Sequence, residues 1–127
     1  MGLRLVNLDM VNCGTRPFTV KGYPDLRLLD RDRAPLAVTV VRGSTEISRI
    51  DSFEQEPGTV TLQPGESASA GLVWRNSVTD VTRPPSNGAS LDIAPVAGLP
   101  RQTVTPKGPI DVGTTGKLGV SAWRARP

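Results

Sequence analysis

The residue types best suited to chemistry in this chain are carboxylates. Asp30 and Asp32, and Glu54 and Glu56, form two i, i+2 pairs. Two acids whose pKa values are driven apart could serve glycoside hydrolysis or aspartic-protease chemistry. Each pair lies in a polar segment with arginine or glutamine between its members, which reads as solvated turn charge. Asp30-x-Asp32 also has the outline of a calcium loop, but it lacks the third ligand and the distal glutamate of an EF-hand. Histidine is absent from all 127 residues. That removes the commonest general base, the Ser-His-Asp and Cys-His nucleophile systems, and the usual ligands of catalytic zinc. A Ser-Lys pair survives on composition, but Lys21, Lys107 and Lys117 each sit beside glycine in expected turns. The run Gly113-Thr114-Thr115-Gly116-Lys117 lacks the upstream glycine, the spacing and the helix of a phosphate-binding loop. Cys13 is the sole cysteine, so an intramolecular disulfide and a Cys-x-x-Cys metal site are both excluded. Its Asn12-Cys13-Gly14-Thr15 setting reads as a turn around a structurally neutral thiol. No catalytic, cofactor-binding or metal-ligating residue is assigned, and no cofactor is expected.

The elements that must position any site are read from hydrophobic period. Thr59–Trp74, TVTLQPGESASAGLVW, contains two alternating runs joined by a turn. Val60 and Leu62 fall on one side before Pro64-Gly65; Ala68, Ala70, Leu72 and Trp74 fall on one side after it. A period of two marks strands with one buried and one wet face. Pro64-Gly65 suits the central positions of a type II turn, which splays the strands of a tight hairpin. The expected connection is an arch crossing from one sheet to the other. Further strands are expected at Leu3–Leu8, Thr15–Val20, Leu26–Leu29, Leu36–Val41, Ser90–Ala94 and Leu118–Trp123, with Gln102–Thr105 and Ile110–Val112 able to pair. Asp9–Gly14 supplies turn chemistry. Arg42–Pro57 reads as irregular, anchored by Ile47, Ile50 and Phe53. Arg75–Gly88 is a long polar loop, a feature that in a compact domain is functional or mobile.

Twelve prolines and thirteen glycines suit many short strands, and aromatics are only 4% of the chain, so the core must rest on Val, Leu, Ile and Ala. The expected fold class is all-β: one immunoglobulin-like antiparallel β-sandwich of about 7–9 short strands spanning residues 1–127. Net charge is +3, with fifteen basic and twelve acidic residues scattered along the length. A nucleic-acid partner would require basic residues gathered on one element, so none is expected. No run approaches the ~18 apolar residues of a membrane helix. Met1-Gly2 runs straight into LRLVNL, a start that suits a mature exported domain and a cytosolic protein alike.

Two tryptophans carry most of the aromatic surface. Trp74 continues a buried face and is expected in the core. Trp123 falls opposite Leu118 and Val120, so it is either an exposed contact residue or covered by the facing sheet.

Taken together, LRLVNLD, FTVKGYPDLRLLD, TVTLQPGESASAGLVW and SLDIAP resemble, in order and approximate spacing over residues 3–95, an uncharacterised domain family of secreted proteins and lipoproteins of actinobacteria. The resemblance implies an immunoglobulin-like sandwich, an extracytoplasmic location, and no catalytic residue or defined ligand. Members of that family usually carry a cysteine where Phe18 stands here, with further cysteines later, so the disulfide the resemblance would imply has no counterpart in this chain.

The expected function is that of a non-catalytic binding module of the bacterial cell envelope or exterior, with an unknown protein or envelope component as partner. Candidate contacts are Arg83, Pro84 and Pro85 on the long loop, with Trp123 as an anchor. The alternative is a carboxylate-based hydrolase or the accessory domain of an enzyme. Edge-to-edge self-association is a third possibility, because Leu3–Leu8 is a candidate edge strand.

Overall fold

The computed structural model describes residues 2–78, 80–82 and 85–126. Among these the chain is all-β, with a single 3-10 turn at Asp51–Phe53 and no α-helix. The main sheet runs β1 (Leu3–Val11), β6 (Ser67–Arg75), β11 (Lys117–Val120), β4 (Thr39–Arg42), with β12 (Arg124–Ala125) also paired to β6. Three shorter ladders complete the sandwich. They are β2 (Phe18–Val20) with β5 (Val60–Leu62), β3 (Asp25–Leu29) with β8 (Ser90–Ala94) and β9 (Gln102–Val104), and β7 (Ser86–Gly88) with β10 (Ile110–Gly113).

The arch expected at Pro64-Gly65 is present. Val60–Leu62 pairs with β2, whereas Ser67 onward pairs with β1, so the turn carries the chain between ladders. Glu66 N–H donates to the Gln63 carbonyl at 2.9 Å, and Gly65 takes φ +86. That is the type II conformation, in which only glycine is comfortable at the second central position.

The core divides along β6. Leu72 and Trp74 pack with Leu26, Leu28, Leu91, Ile93, Ile110, Val112, Leu118 and Val120. Ala68 and Ala70 pack with Val20, Val60, Leu62 and Trp123. Small side chains on the first half of β6 admit the Trp123 ring; large ones on the second half meet the β3–β8 ladder.

The outer face of β6 is also covered. Val73 has no exposed surface, and a Cβ built on Gly71 would stand 2.6 Å from the Phe53 ring. Of the anchors expected in Arg42–Pro57, Phe53 is therefore the buried one, packed against β6 at Gly71, while Ile47 and Ile50 are half-buried. A glycine at 71 is required by this close approach.

Several elements differ from their sequence expectation, among them β7, which makes a strand of the last residues of the expected long loop. β1 continues to Val11, because Met10 and Val11 find partners in Ala68 and Ser67 and the turn begins only at Asn12. β2 starts at Phe18, since Pro17 has no N–H to give a ladder. Leu36 donates its N–H to Leu28 and so remains beside β3, and the chain then crosses to the main sheet. There β4 lies parallel to β11, the only parallel pairing among the described strands. Lys117 likewise opens β11 instead of sitting in a turn, and its Nζ meets Glu46 at 3.0 Å.

Trp74 is 4% exposed and donates its indole N–H to Asp111 at 3.2 Å. Trp74→Ala is expected to cost about 3–5 kcal/mol through the lost apolar contact and the cavity it leaves. A urea melt measures this, and near-native stability would contradict the packing described.

Candidate functional site

β1 borders the sandwich on one side, and its backbone orientation follows from the bonds at its ends. Asn12 N–H donates to the Glu66 carbonyl at 3.0 Å, and Asn76 N–H donates to the Gly2 carbonyl at 3.1 Å. Register between these points is unbroken, from Leu3 opposite Arg75 to Val11 opposite Ser67. Backbone groups therefore alternate, with even residues turned toward β6 and odd residues turned away. Gly71, opposite Asn7, agrees: its N–H bonds the Ser121 hydroxyl at 2.7 Å and its carbonyl accepts from Ser121 N–H at 3.0 Å. The Asn7–Gly71 pair is thus the non-hydrogen-bonded kind. Leu3, Leu5, Asn7, Asp9 and Val11 direct N–H and C=O to the free edge, and no described strand pairs there.

Side chains alternate in the same way. Val6, Leu8 and Met10 are half-buried against the core, whereas Leu3, Leu5, Asn7, Asp9 and Val11 are exposed. Leu5 is 56% exposed and Val11 50%.

Across the sandwich, β9 is the edge of its own ladder. Arg101 fixes its start by clamping two carboxylates, Asp25 at 2.6 Å and Asp92 at 3.0 Å, and by donating to both their backbone carbonyls. The Asp25 bond above all, aided by Asp92, holds the guanidinium more firmly protonated than usual. Between the two edges opens a groove of about 380 Å³, formed by Leu8, Met10, Val11, Ile93, Val104 and Trp123 with polar rim residues. Asp9 on that rim is engaged by Arg126 at 2.7 Å. A second hollow of about 550 Å³ shares Met10, Val11, Cys13, Pro95 and Gln102, and continues toward Phe18.

The far end of the groove is shaped by Asn12, which is buried. Its amide donates to the Arg16 and Leu62 carbonyls, each at 2.8 Å, and accepts from Gly14 N–H at 3.0 Å. This Asx turn holds Cys13 exposed on the rim, without a disulfide partner.

Arg83 and Pro84 lie outside the described residues, and Pro85 is exposed just before β7. Trp123 is 3% exposed, so of its two alternatives the covered one holds. Its indole donates to the Pro95 carbonyl at 2.6 Å and its backbone N–H to the Gly22 carbonyl at 3.0 Å. The ring floors the groove instead of projecting as an anchor. The long loop leaves β6 at Arg75, whereas Trp123 precedes Arg124, which pairs with Ser69. Six residues of strand, about 20 Å, separate the two.

One carboxylate of each candidate pair, and Asp111 besides, is engaged by local structure. Asp30 accepts from the backbone N–H groups of Asp32 and Ala34, closing the charged turn. Glu54 accepts from the hydroxyl and N–H of the buried Ser44 at 2.7 and 2.6 Å, and these bonds hold its carboxyl below the ordinary range. Burial pushes Asp111 upward, but hydrogen bonds from Trp74 and Asn76 outweigh it and leave its pKa lowered. Among the described residues no three His, Cys, Asp or Glu side chains gather in a way that could hold a metal ion. Among the described residues no helix is long and apolar enough to cross a membrane.

Fold and groove together define a small β-sandwich with one open side. The chain belongs to a family described as a domain of unknown function, DUF4232, whose model matches residues 1–124. No curated protein and no solved structure matches the chain.

Two predictions arise from the rim and the clip. Cys13→Ser is expected to leave the free energy of unfolding within about 0.5 kcal/mol of wild type, as for an exposed residue with no disulfide partner. A larger loss in a urea melt would place the thiol in packed structure. Glu54 is stabilised in its charged form, so its contribution is present above the ordinary glutamate pKa and is lost as pH falls through the lowered native value. Glu54→Gln is therefore expected to flatten the loss of stability between about pH 5 and pH 3. Melts across that range giving parallel curves for both proteins would refute the role.

Proposed function

We propose that this domain is a non-catalytic interaction module of the bacterial cell envelope or exterior, which takes an extended polypeptide segment on the open side of the sandwich. The observation carrying this reading is an apolar groove lying directly beside an unpaired nine-residue strand edge. An added strand would gain main-chain hydrogen bonds from Leu3, Leu5, Asn7, Asp9 and Val11, and alternate side chains would enter the groove. Supporting a binding role over hydrolysis, Asp30, Glu54 and Asp111 each accept bonds from neighbouring groups and do not face one another across a cleft. The resemblance to exported actinobacterial domains supports the envelope or exterior location and the immunoglobulin-like type.

A display library of short linear peptides, panned against protein immobilised at low density, tests the binding mode. The expected outcome is enrichment of peptides with apolar residues at alternate positions, binding Val104→Asp about tenfold more weakly. No enrichment, or equal binding to that variant, would sink the reading. Location is read separately by fractionating the source cells: recovery only from the cytosol would reject the envelope assignment.

A further inference from the structure

We propose that the segment taken by the open side is β1 of a second copy, so that the domain forms a twofold dimer in which two main sheets join edge to edge. This rests on the reading that the open side takes an extended strand, and it names the strand.

β1 lacks the features by which natural edges are protected. It contains no proline, its ladder with β6 has no bulge, and Arg4 and Asp9 are its only charges. Its outward-turned backbone groups belong to the odd residues, so a second β1 in antiparallel orientation must bring odd residues opposite odd residues. The register that keeps the whole strand paired places the axis at Asn7. Leu3 then faces Val11 of the second copy, Leu5 faces Asp9, and Asn7 faces its own counterpart. These are the hydrogen-bonded pairs.

Between them Val6 faces Leu8 of the second copy and Arg4 faces Met10, as non-hydrogen-bonded pairs whose side chains point toward the groove. No two like charges stand opposite each other. Apolar residues meet apolar residues at Leu3–Val11 and Val6–Leu8. The incoming Val6 and the aliphatic stem of the incoming Arg4 would lie beside Leu8 and Met10, whose groove-lining surface is open in the single chain. Self-complementarity in charge and in apolar content thus selects a second copy over an unrelated segment.

The register makes a charge-reversal test specific. Analytical ultracentrifugation of the wild-type chain is expected to show a concentration-dependent dimer. Leu5→Asp sets a carboxylate opposite Asp9 of the second copy and is expected to raise the dissociation constant at least about tenfold, whereas Leu5→Lys leaves the dimer as tight or tightens it. A disulfide readout keeps the test independent of variant stability. With Cys13→Ser as background, Asn7→Cys sits on the axis and is expected to oxidise to a covalent dimer. Leu3→Cys is not, because the two cysteines would stand about 27 Å apart.

A monomer up to about 1 mM overturns the proposal. So does a dimer equally sensitive to aspartate and lysine at position 5, or equal disulfide yield at positions 3 and 7. A monomer that still binds groove-dependent peptides overturns self-pairing alone. A monomer that binds none sinks the strand-taking reading as well.

Discussion

The structure depends on β6, which has to be covered on both faces and both edges. From Ala70 to Trp74 every residue is buried. β1 runs along the whole of one edge, while β11 and then β12 share the other. The core residues Ala68, Ala70, Leu72 and Trp74 supply the inner face, and Phe53 lies on the outer face where Gly71 leaves room. Because β6 is fixed on all sides, its outermost neighbour inherits both its alignment and the unpaired edge. The open side is therefore a product of the same strand that anchors the core.

Much of the fold was legible because period-two alternation survives wherever one face is buried. Val60, Leu62, Ala68, Ala70, Leu72 and Trp74 all lie inside as the alternation requires, and the arch follows from the turn chemistry of Pro64-Gly65. Alternation is less informative where both faces are covered. Leu118–Trp123 is buried throughout, so the pattern left Trp123 with two possible environments, and only the distant Pro95 and Gly22 backbone decides between them. β4 shows another limit. Its residues favour a strand, but which strand it joins is set by a crossover that no local signal encodes.

The candidate site was less legible than the fold. The carboxylate pairs drew notice by spacing, yet short-range spacing cannot distinguish catalytic convergence from an Asx turn or a Ser44 clip. The groove is assembled from Leu8 and Met10 on one edge and Ile93 and Val104 on another, residues joined only by the stacking of two ladders. The open edge beside it has one sequence trace, the low charge of the Leu3–Leu8 strand. Arg83, Pro84 and Pro85 of the long loop stand out by composition, whereas the apolar residues that line the groove look like ordinary core residues.

The pairing pattern also bears on how the chain acquires its shape. β1 finds its partners between 56 and 72 positions later, and β4 meets β11 some 78 positions on. Loop closure over such separations comes before any reward from contact, so folding is expected to be slow for a domain of this size. As the polypeptide emerges from the ribosome, β1 is complete long before β6 exists. During that interval both of its edges and its apolar face are open to any neighbouring strand. β1 is thus a part of the nascent chain in need of shielding, and the order of synthesis works against the order of pairing.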